Sequence, residues 1–206
     1  RVIIVTNPNN PTGVVTPRSA IMTLAKSVPP GAIIFVDEAY IDFGGETFVP
    51  DLRLFPNVVV GRTFSKAYGL AGLRAGLLLG QPQTLEPLRN AVPVYSVNVA
   101  AAVAVVAAIE DGDHKAEYLR QTAASKELLY AACDRWKMHY WPSAANFVLV
   151  RTGPHTARIL SGTRDRGIYL RDRSSEPGCA NCIRVTTGLV AHTERLIAAV
   201  EEILCA

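Results

Sequence analysis

Ala32-Ile33-Ile34-Phe35-Val36-Asp37-Glu38-Ala39-Tyr40 opens with an unbroken apolar run and closes on two carboxylates and a phenol. An apolar run this short, with no polar alternation, reads as a strand buried in a sheet. Outward from it the pattern repeats. Val2 to Val5 is a β-branched run, stopped by the turn-rich Asn7-Pro8-Asn9-Asn10-Pro11-Thr12-Gly13. Thr16 as cap and Pro17 in a first turn predict a helix to about Ser27, closed by Pro29-Pro30-Gly31. Val58 to Val60 is a third strand running to Arg62, and Leu77 to Leu79 a fourth. Such strands, separated by helices, predict an α/β fold with a mostly parallel sheet covered on both faces. Asn10, Asp37, Tyr40, Ser65 and Lys66 all fall just after strands. Open α/β sheets bind ligands beyond their strands' carboxyl ends, so this placement predicts a site.

The character changes near residue 95. The Ala/Val-rich stretch Val97 to Ile109 reads as a buried helix, and Asp111-Gly112-Asp113 breaks it. An amphipathic helix is expected from about His114 to Lys137. A strand Phe147 to Arg151, a helix near His155 to Arg166, and strands Ile168 to Arg171 and Cys182 to Thr186 follow. A terminal helix from Thr193 to Leu204 completes the chain. This predicts residues 1–95 as part of a large domain and 96–206 as an interdomain helix with a small C-terminal α+β domain.

The 206 residues are 49% hydrophobic and 19% charged, a globular balance, and carry a dispersed net charge of +3. No Lys/Arg cluster suggests nucleic acid. No apolar run reaches the roughly 18 residues of a membrane span, and no signal peptide opens the chain. The chain begins Arg1-Val2-Ile3-Ile4-Val5, already inside a strand, and is read as a fragment or processed piece. Cys179 and Cys182 form a lone C-x-x-C in a loop, without the second pair a zinc site needs. With Cys133 and Cys205 they read as bystander thiols in a reducing cytoplasm. His114, His139, His155 and His192 sit in no motif.

Four stretches carry a resemblance. They are Asn7 to Gly13; Asp37-Glu38-Ala39-Tyr40; Thr63-Phe64-Ser65-Lys66 with Gly72-Leu73-Arg74; and Ile183-Arg184-Val185. In this order and spacing the chain resembles, over its whole length, the pyridoxal-phosphate (PLP) aminotransferases of fold type I. Val36 to Tyr40, Arg62 to Arg74 and Arg171-Asp172-Arg173-Ser174 are similar to the histidinol-phosphate branch.

The resemblance implies a role for each matching residue, set here beside the plainer reading. Lys66 would hold the aldehyde of pyridoxal 5'-phosphate and later shuttle a proton, where it is otherwise a solvated loop lysine. Asp37 would pair with the pyridine nitrogen, where a lone carboxylate is otherwise a cap. Glu38 is expected to point elsewhere. Asn10 and Tyr40 would meet the ring's hydroxyl oxygen, though Asn10 also makes turns. Thr63, Ser65 and Arg74 would hold the cofactor phosphate. Arg184 would grip the substrate carboxylate or phosphate, where it is otherwise an edge-strand arginine, and Arg171 would read the far anionic end. Asn146 is left unassigned.

The implied reaction is amino transfer between histidinol phosphate and 2-oxoglutarate, giving imidazole-acetol phosphate and glutamate in histidine biosynthesis. The implied setting is a cytoplasmic homodimer. The resemblance also implies an N-terminal portion, which supplies a phosphate-binding turn, a ring-stacking aromatic and a tyrosine for the neighbouring subunit. No stretch here matches it, so the sheet is expected to expose strand edges and the chain alone to be impaired. Leu77 stands where many relatives carry an aromatic. The competing functions are another PLP enzyme on the same scaffold, such as threonine-phosphate decarboxylase or an aromatic aminotransferase, and a non-catalytic binding or assembly module. The intact Asp37, Tyr40, Lys66, Arg74 and Arg184 set argues against a decayed site.

Overall fold

The computed structural model describes residues 1–205 and divides into two compact units. The first comprises Arg1–Asn9 and Val15–Ala116; the second comprises Asn10–Val14 and Glu117–Ala206. Residues 96–116 thus fall in the first unit, and α4, described below, crosses the division.

The first unit is built on a four-stranded sheet of β1 (Val2–Thr6), β2 (Ile33–Asp37), β3 (Val58–Thr63) and β4 (Gly76–Leu79), in that order. β1, β2 and β3 run parallel, and β4 returns antiparallel to β3. The sheet is mostly parallel, as expected, and the strands fall within two residues of the expected ends. Register brings Thr6 opposite Asp37, and Asp37 opposite Gly61, so the ends of three strands align.

Period-two burial decides which face forms the core. Ile34 and Val36 are fully buried with Val58 and Val60, against Phe48, Phe55 and Ile21 of α1 (Arg18–Ser27). Cover on the second face is only partial: Val59 of β3 is buried, but the outer strands are open. Val2 and Ile4 of β1 are exposed, as are Leu77 and Leu78 of β4. The apolar run records a strand's appetite for burial; β1 packs Ile3 and Val5 on one side only, and β4 leaves Leu77 and Leu78, on opposite faces, both exposed.

Three local expectations are corrected. Thr16 does not cap α1; Pro17 occupies the cap position, and Arg18 begins the helix. Its fixed φ and missing N–H suit the entry, and no side-chain cap bond forms. The helix α2 (Pro82–Arg89) was not anticipated. The helix read as buried, α3 (Val99–Glu110), is exposed along Val99, Val103, Val106 and Ile109, and only Ala101 is buried. Asn98 caps it by accepting a hydrogen bond from Ala101 N at 2.8 Å. An all-apolar helix shows what its sequence can bury, not that a neighbour in the same chain covers it.

The helix α4 (Gly112–Arg135) leads into the second unit, whose antiparallel sheet has the order β5-β6-β8-β7. These strands are β5 (His139–Trp141), β6 (Phe147–Arg151), β7 (Arg171–Asp172) and β8 (Cys182–Thr186). Two helices, α5 (Thr156–Asp165) and α6 (Val190–Cys205), complete the unit. Val148, Val150, Ile183 and Val185 on one sheet face meet Leu129 of α4, Ile159 of α5 and the α6 stripe Leu196, Val200 and Ile203. The strand expected at 168–171 shrinks to Arg171–Asp172. Gly167, at φ 71°, terminates the preceding helix, and Ile168 N closes back on Thr163 O. Ile168 and Leu170 pack on the core without backbone pairing, so an alternating pattern mimicked a strand.

The segment Asn10–Val14 docks onto this unit through Gly13. Gly13 O accepts from Ala144 N at 2.9 Å, and a Cβ at Gly13 would stand 2.0 Å from Ser143 Oγ. Its φ of 73° adds a second reason for glycine. Cys133, Cys179 and Cys182 are buried and free. Burial pushes the Cys133 thiol up to about 12 and raises that of Cys179, as fits structural thiols. No described residues form a cluster of three metal-ligating side chains, and no described helix is long and apolar enough to cross a membrane.

Candidate active site

In the first unit, the carboxyl ends of β2 and β3 deliver the side chains. Asp37 closes β2, and its backbone O accepts from Asn7 N at 2.8 Å. Ala39 N donates to Asp37 Oδ1 at 2.9 Å, which fixes one carboxylate oxygen and leaves the other for a ligand. The chain then turns through Tyr40 into a 3₁₀ turn, Ile41–Phe43. Thr63 closes β3 opposite Gly76. Its Oγ1 accepts from Ser65 N at 3.1 Å, which bends the chain into the loop carrying Lys66. Leu70 N to Phe64 O at 3.0 Å and Gly69 N to Lys66 O at 3.1 Å close that loop. Lys66 Nζ lies 5.4 Å from the centroid of the Tyr40 ring, over its face.

Arg74 follows in a left-handed conformation, φ 57° and ψ 38°, unusual for a residue with a β-carbon. Its Nη1 donates to Ala71 O at 3.1 Å, which leaves the other guanidinium donors outward. Asp37, Thr63, Ser65, Lys66 and Arg74 line one open cleft of about 490 Å³. Its floor is close-packed: a Cβ at Gly61 would stand 2.5 Å from the Phe35 ring. Of the first-unit residues singled out in the sequence, only Tyr40 is not a lining residue, and its ring meets Lys66.

Glu38 points elsewhere, as expected. It is buried, and it accepts from Phe48 N at 2.6 Å, Thr47 Oγ1 at 2.8 Å and Arg62 Nε at 3.0 Å. Adjacent carboxylates on opposite strand faces therefore take different work: Asp37 faces the cleft, and Glu38 ties the ends of β2 and β3 together.

Asn10, Arg171 and Arg184 belong to the second unit. Asn10 Oδ1 accepts from Arg184 Nη1 at 2.7 Å and from Arg173 Nη2 at 3.3 Å. With its oxygen so engaged, the amide presents Nδ2 as a donor. Arg171 stands directly opposite Arg184 across β7 and β8. Like charges so paired repel, and a bound anion would relieve them. The Arg184 guanidinium lies 5.0 Å from the Phe147 ring centroid. Arg173 was missed as a site residue. It ion-pairs with Glu176, and its buried Nε has no hydrogen-bond partner among the described residues. The available signal was its position two residues after Arg171, on the same side of an extended chain.

An amine that can add to a carbonyl, a carboxylate that can hold a protonated ring nitrogen, and two hydroxyls with a guanidinium for an oxyanion thus share one cleft. The set fits a phosphorylated aromatic aldehyde.

Comparison with known proteins gives the same direction. The family model described as aminotransferase class I and II matches residues 1–200. The histidinol-phosphate aminotransferase of Symbiobacterium thermophilum is 37% identical over 99% of this chain. The match covers 57% of that relative, so the chain spans little more than half its length. The crystal structure of histidinol-phosphate aminotransferase from Sinorhizobium meliloti, in complex with pyridoxal-5'-phosphate, superposes with a TM-score of 0.88. It is 30% identical, covering 98% of this chain and 56% of that one. The L-threonine-O-3-phosphate decarboxylase of Porphyromonas gingivalis shares the fold, with a TM-score of 0.82 at 24% identity, covering 100% of this chain and 65% of that one.

Proposed function

The chain belongs to the aminotransferase class I and II family, and from that premise we propose that it serves PLP-dependent amino transfer between histidinol phosphate and 2-oxoglutarate. The observation that carries this reading is the single cleft lined by Asp37, Thr63, Ser65, Lys66 and Arg74, with the Tyr40 ring 5.4 Å from the lysine amine. Pyridoxal 5'-phosphate, when bound, supplies a protonated ring that takes up the electron pair released at the substrate carbon.

The chain's residues do the rest. Lys66 Nζ would hold the cofactor through its aldehyde, and the same amine, when free, would serve as the base for the proton at the substrate's Cα. Asp37 would hold the protonated ring nitrogen through the oxygen that Ala39 does not engage. Tyr40 Oη would donate to the ring's hydroxyl oxygen, and the family resemblance assigns Asn10 the same partner. Thr63 and Ser65 donate hydroxyl protons to the phosphate, and Arg74 adds charge. Arg184 and Arg171 would take the two carboxylates of glutamate, or the dianionic phosphate of a phosphate monoester, each in the planar geometry that favours arginine over lysine.

We further read residues 1–95 as part of a large domain and 96–206 as an interdomain helix, grouped up to Ala116 with the first unit, followed by a small domain, and the functional assembly as a cytoplasmic homodimer. The exposed apolar side chains of α3 and the free cysteines support these readings. The test supplies the protein with cofactor and either histidinol phosphate plus 2-oxoglutarate or threonine phosphate alone. Glutamate formed in the first mixture, without carbon dioxide in the second, is the expected result. Carbon dioxide from threonine phosphate with no glutamate from the first mixture would replace amino transfer with decarboxylation.

A further inference from the structure

Lys115 stands in the first turn of α4, where the helix dipole disfavours a cation. It is held there by contacts that have nothing to do with the helix. Its Nζ lies 2.5 Å from Asp42 Oδ1 and 3.0 Å from Tyr68 Oη, and 4.3 Å from the Tyr68 ring centroid. Both members of the ion pair are largely sheltered, with 23% and 17% of their side chains exposed. Burial works against the charge, but the bonds to Asp42 and Tyr68 outweigh it, so Lys115 titrates above an ordinary lysine and stays charged at neutral pH.

The two partners occupy equivalent places. Asp42 lies two residues after Tyr40, within the 3₁₀ turn that Phe43 N closes on Tyr40 O at 3.0 Å. Tyr68 lies two residues after Lys66, in the loop that Gly69 N closes on Lys66 O. Buried Ala67 and the Phe64–Tyr68 ring contact, 5.1 Å between centroids, stiffen that loop. Each short segment is internally bonded, so its two ends move together. One ammonium therefore joins the carrier of the phenol to the carrier of the amine.

We propose that Lys115 is a positioning residue that sets the placement of the Lys66 amine against the face of Tyr40. The geometry stands without any cofactor. Its consequence for chemistry rests on the proposed reading of Lys66 as the cofactor-holding lysine. Contact with an aromatic face stabilises an ammonium and shields it. Loosening the clamp should expose the amine and make it more reactive.

The test is competitive trace acetylation of the cofactor-free chain at neutral pH, with each lysine quantified by mass spectrometry and Tm recorded alongside. In Lys115→Met, the rate at Lys66 relative to Lys26 and Lys137 is expected to rise by at least about twofold, the lower end of coupling between contacting residues. Lys115→Arg, which keeps the charge on Asp42, is expected to return most of the way to the original rate. Should Lys115→Met fail to fold, Asp42→Asn weakens the same clamp conservatively and is expected to shift Lys66 in the same direction. A fall in Tm with Lys66 unchanged, or a rise shared by all three lysines, would reduce Lys115 to a structural contact and overturn the proposal. Borohydride trapping of PLP on the unsubstituted chain separates the two ideas. Absence of an adduct at Lys66, both in this chain and in one extended to the length of its relatives, alongside the selective acetylation shift, would remove the cofactor reading and leave the role of Lys115 standing.

Discussion

Lys66→Ala is expected to abolish covalent retention of PLP and to lower amino transfer by at least about 10²–10⁴-fold, the usual contribution of a positioned proton-transfer group. The loss should be specific. Lys66 contributes to its loop through its backbone carbonyl, which accepts from Gly69 N and survives truncation. Its side chain is half-buried over Tyr40 and outside the apolar core. Stability should therefore stay within about 1 kcal/mol of the parent, the size of an ammonium's contact with an aromatic face near the surface. Circular dichroism and a thermal melt check the fold, and a glutamate-coupled assay checks the chemistry. Full activity in Lys66→Ala would mean that the reactive amine lies elsewhere.

Glu38→Ala should do the opposite, sparing the cleft's own side chains and unfolding the unit that holds them. The carboxylate is 1% exposed and accepts from Phe48 N, Thr47 Oγ1 and the Arg62 guanidinium. Removing it leaves a buried backbone N–H and a partly buried cation without their acceptor. Breaking such a pair from one side costs about 3–5 kcal/mol. Urea unfolding should show a lowered midpoint, with the loss located in the first unit by amide hydrogen exchange at Val58–Thr63. Glu38→Gln should fall between, because the amide keeps one acceptor but brings two donors to a site already full of donors. A change below about 1 kcal/mol in Glu38→Ala would mean that water replaces the carboxylate and that β2 and β3 need no such tie.

Asp37 and Glu38 also show where sequence reading succeeds. Strand alternation puts neighbours on opposite faces, so one of two adjacent carboxylates had to leave the cleft, and the motif indicated which. β2, β3, β6 and β8 were legible for a related reason: runs of Ile, Val and Phe suit a pleated surface. α2 was not, because Pro82 and Pro87 mask an eight-residue helix with no long apolar stripe. β5, three residues long, is defined by pairing with β6 and not by its own sequence. The exposure of α3 lay beyond reach, since composition specifies a demand for burial and not its satisfaction.

In the candidate site, Lys66, Asp37 and Arg74 were legible because local motifs carry them. Arg173 carried only the faint signal of its spacing from Arg171, and its bond to Asn10, 163 residues away in sequence, brought it into the candidate site. Lys115 meets partners 47 and 73 residues away and sits in no motif. The residues proposed to touch a ligand lie in short local patterns; the one proposed to position them is placed through contacts that only the folded chain creates.

The most direct test of the account is to incubate the unsubstituted chain with PLP, reduce with borohydride and map the modified peptides by mass spectrometry. The account predicts one dominant pyridoxyl adduct, on Lys66. Adducts scattered over Lys26, Lys126 and Lys137, with Lys66 unmodified both in this chain and in one extended to the length of its relatives, would contradict it.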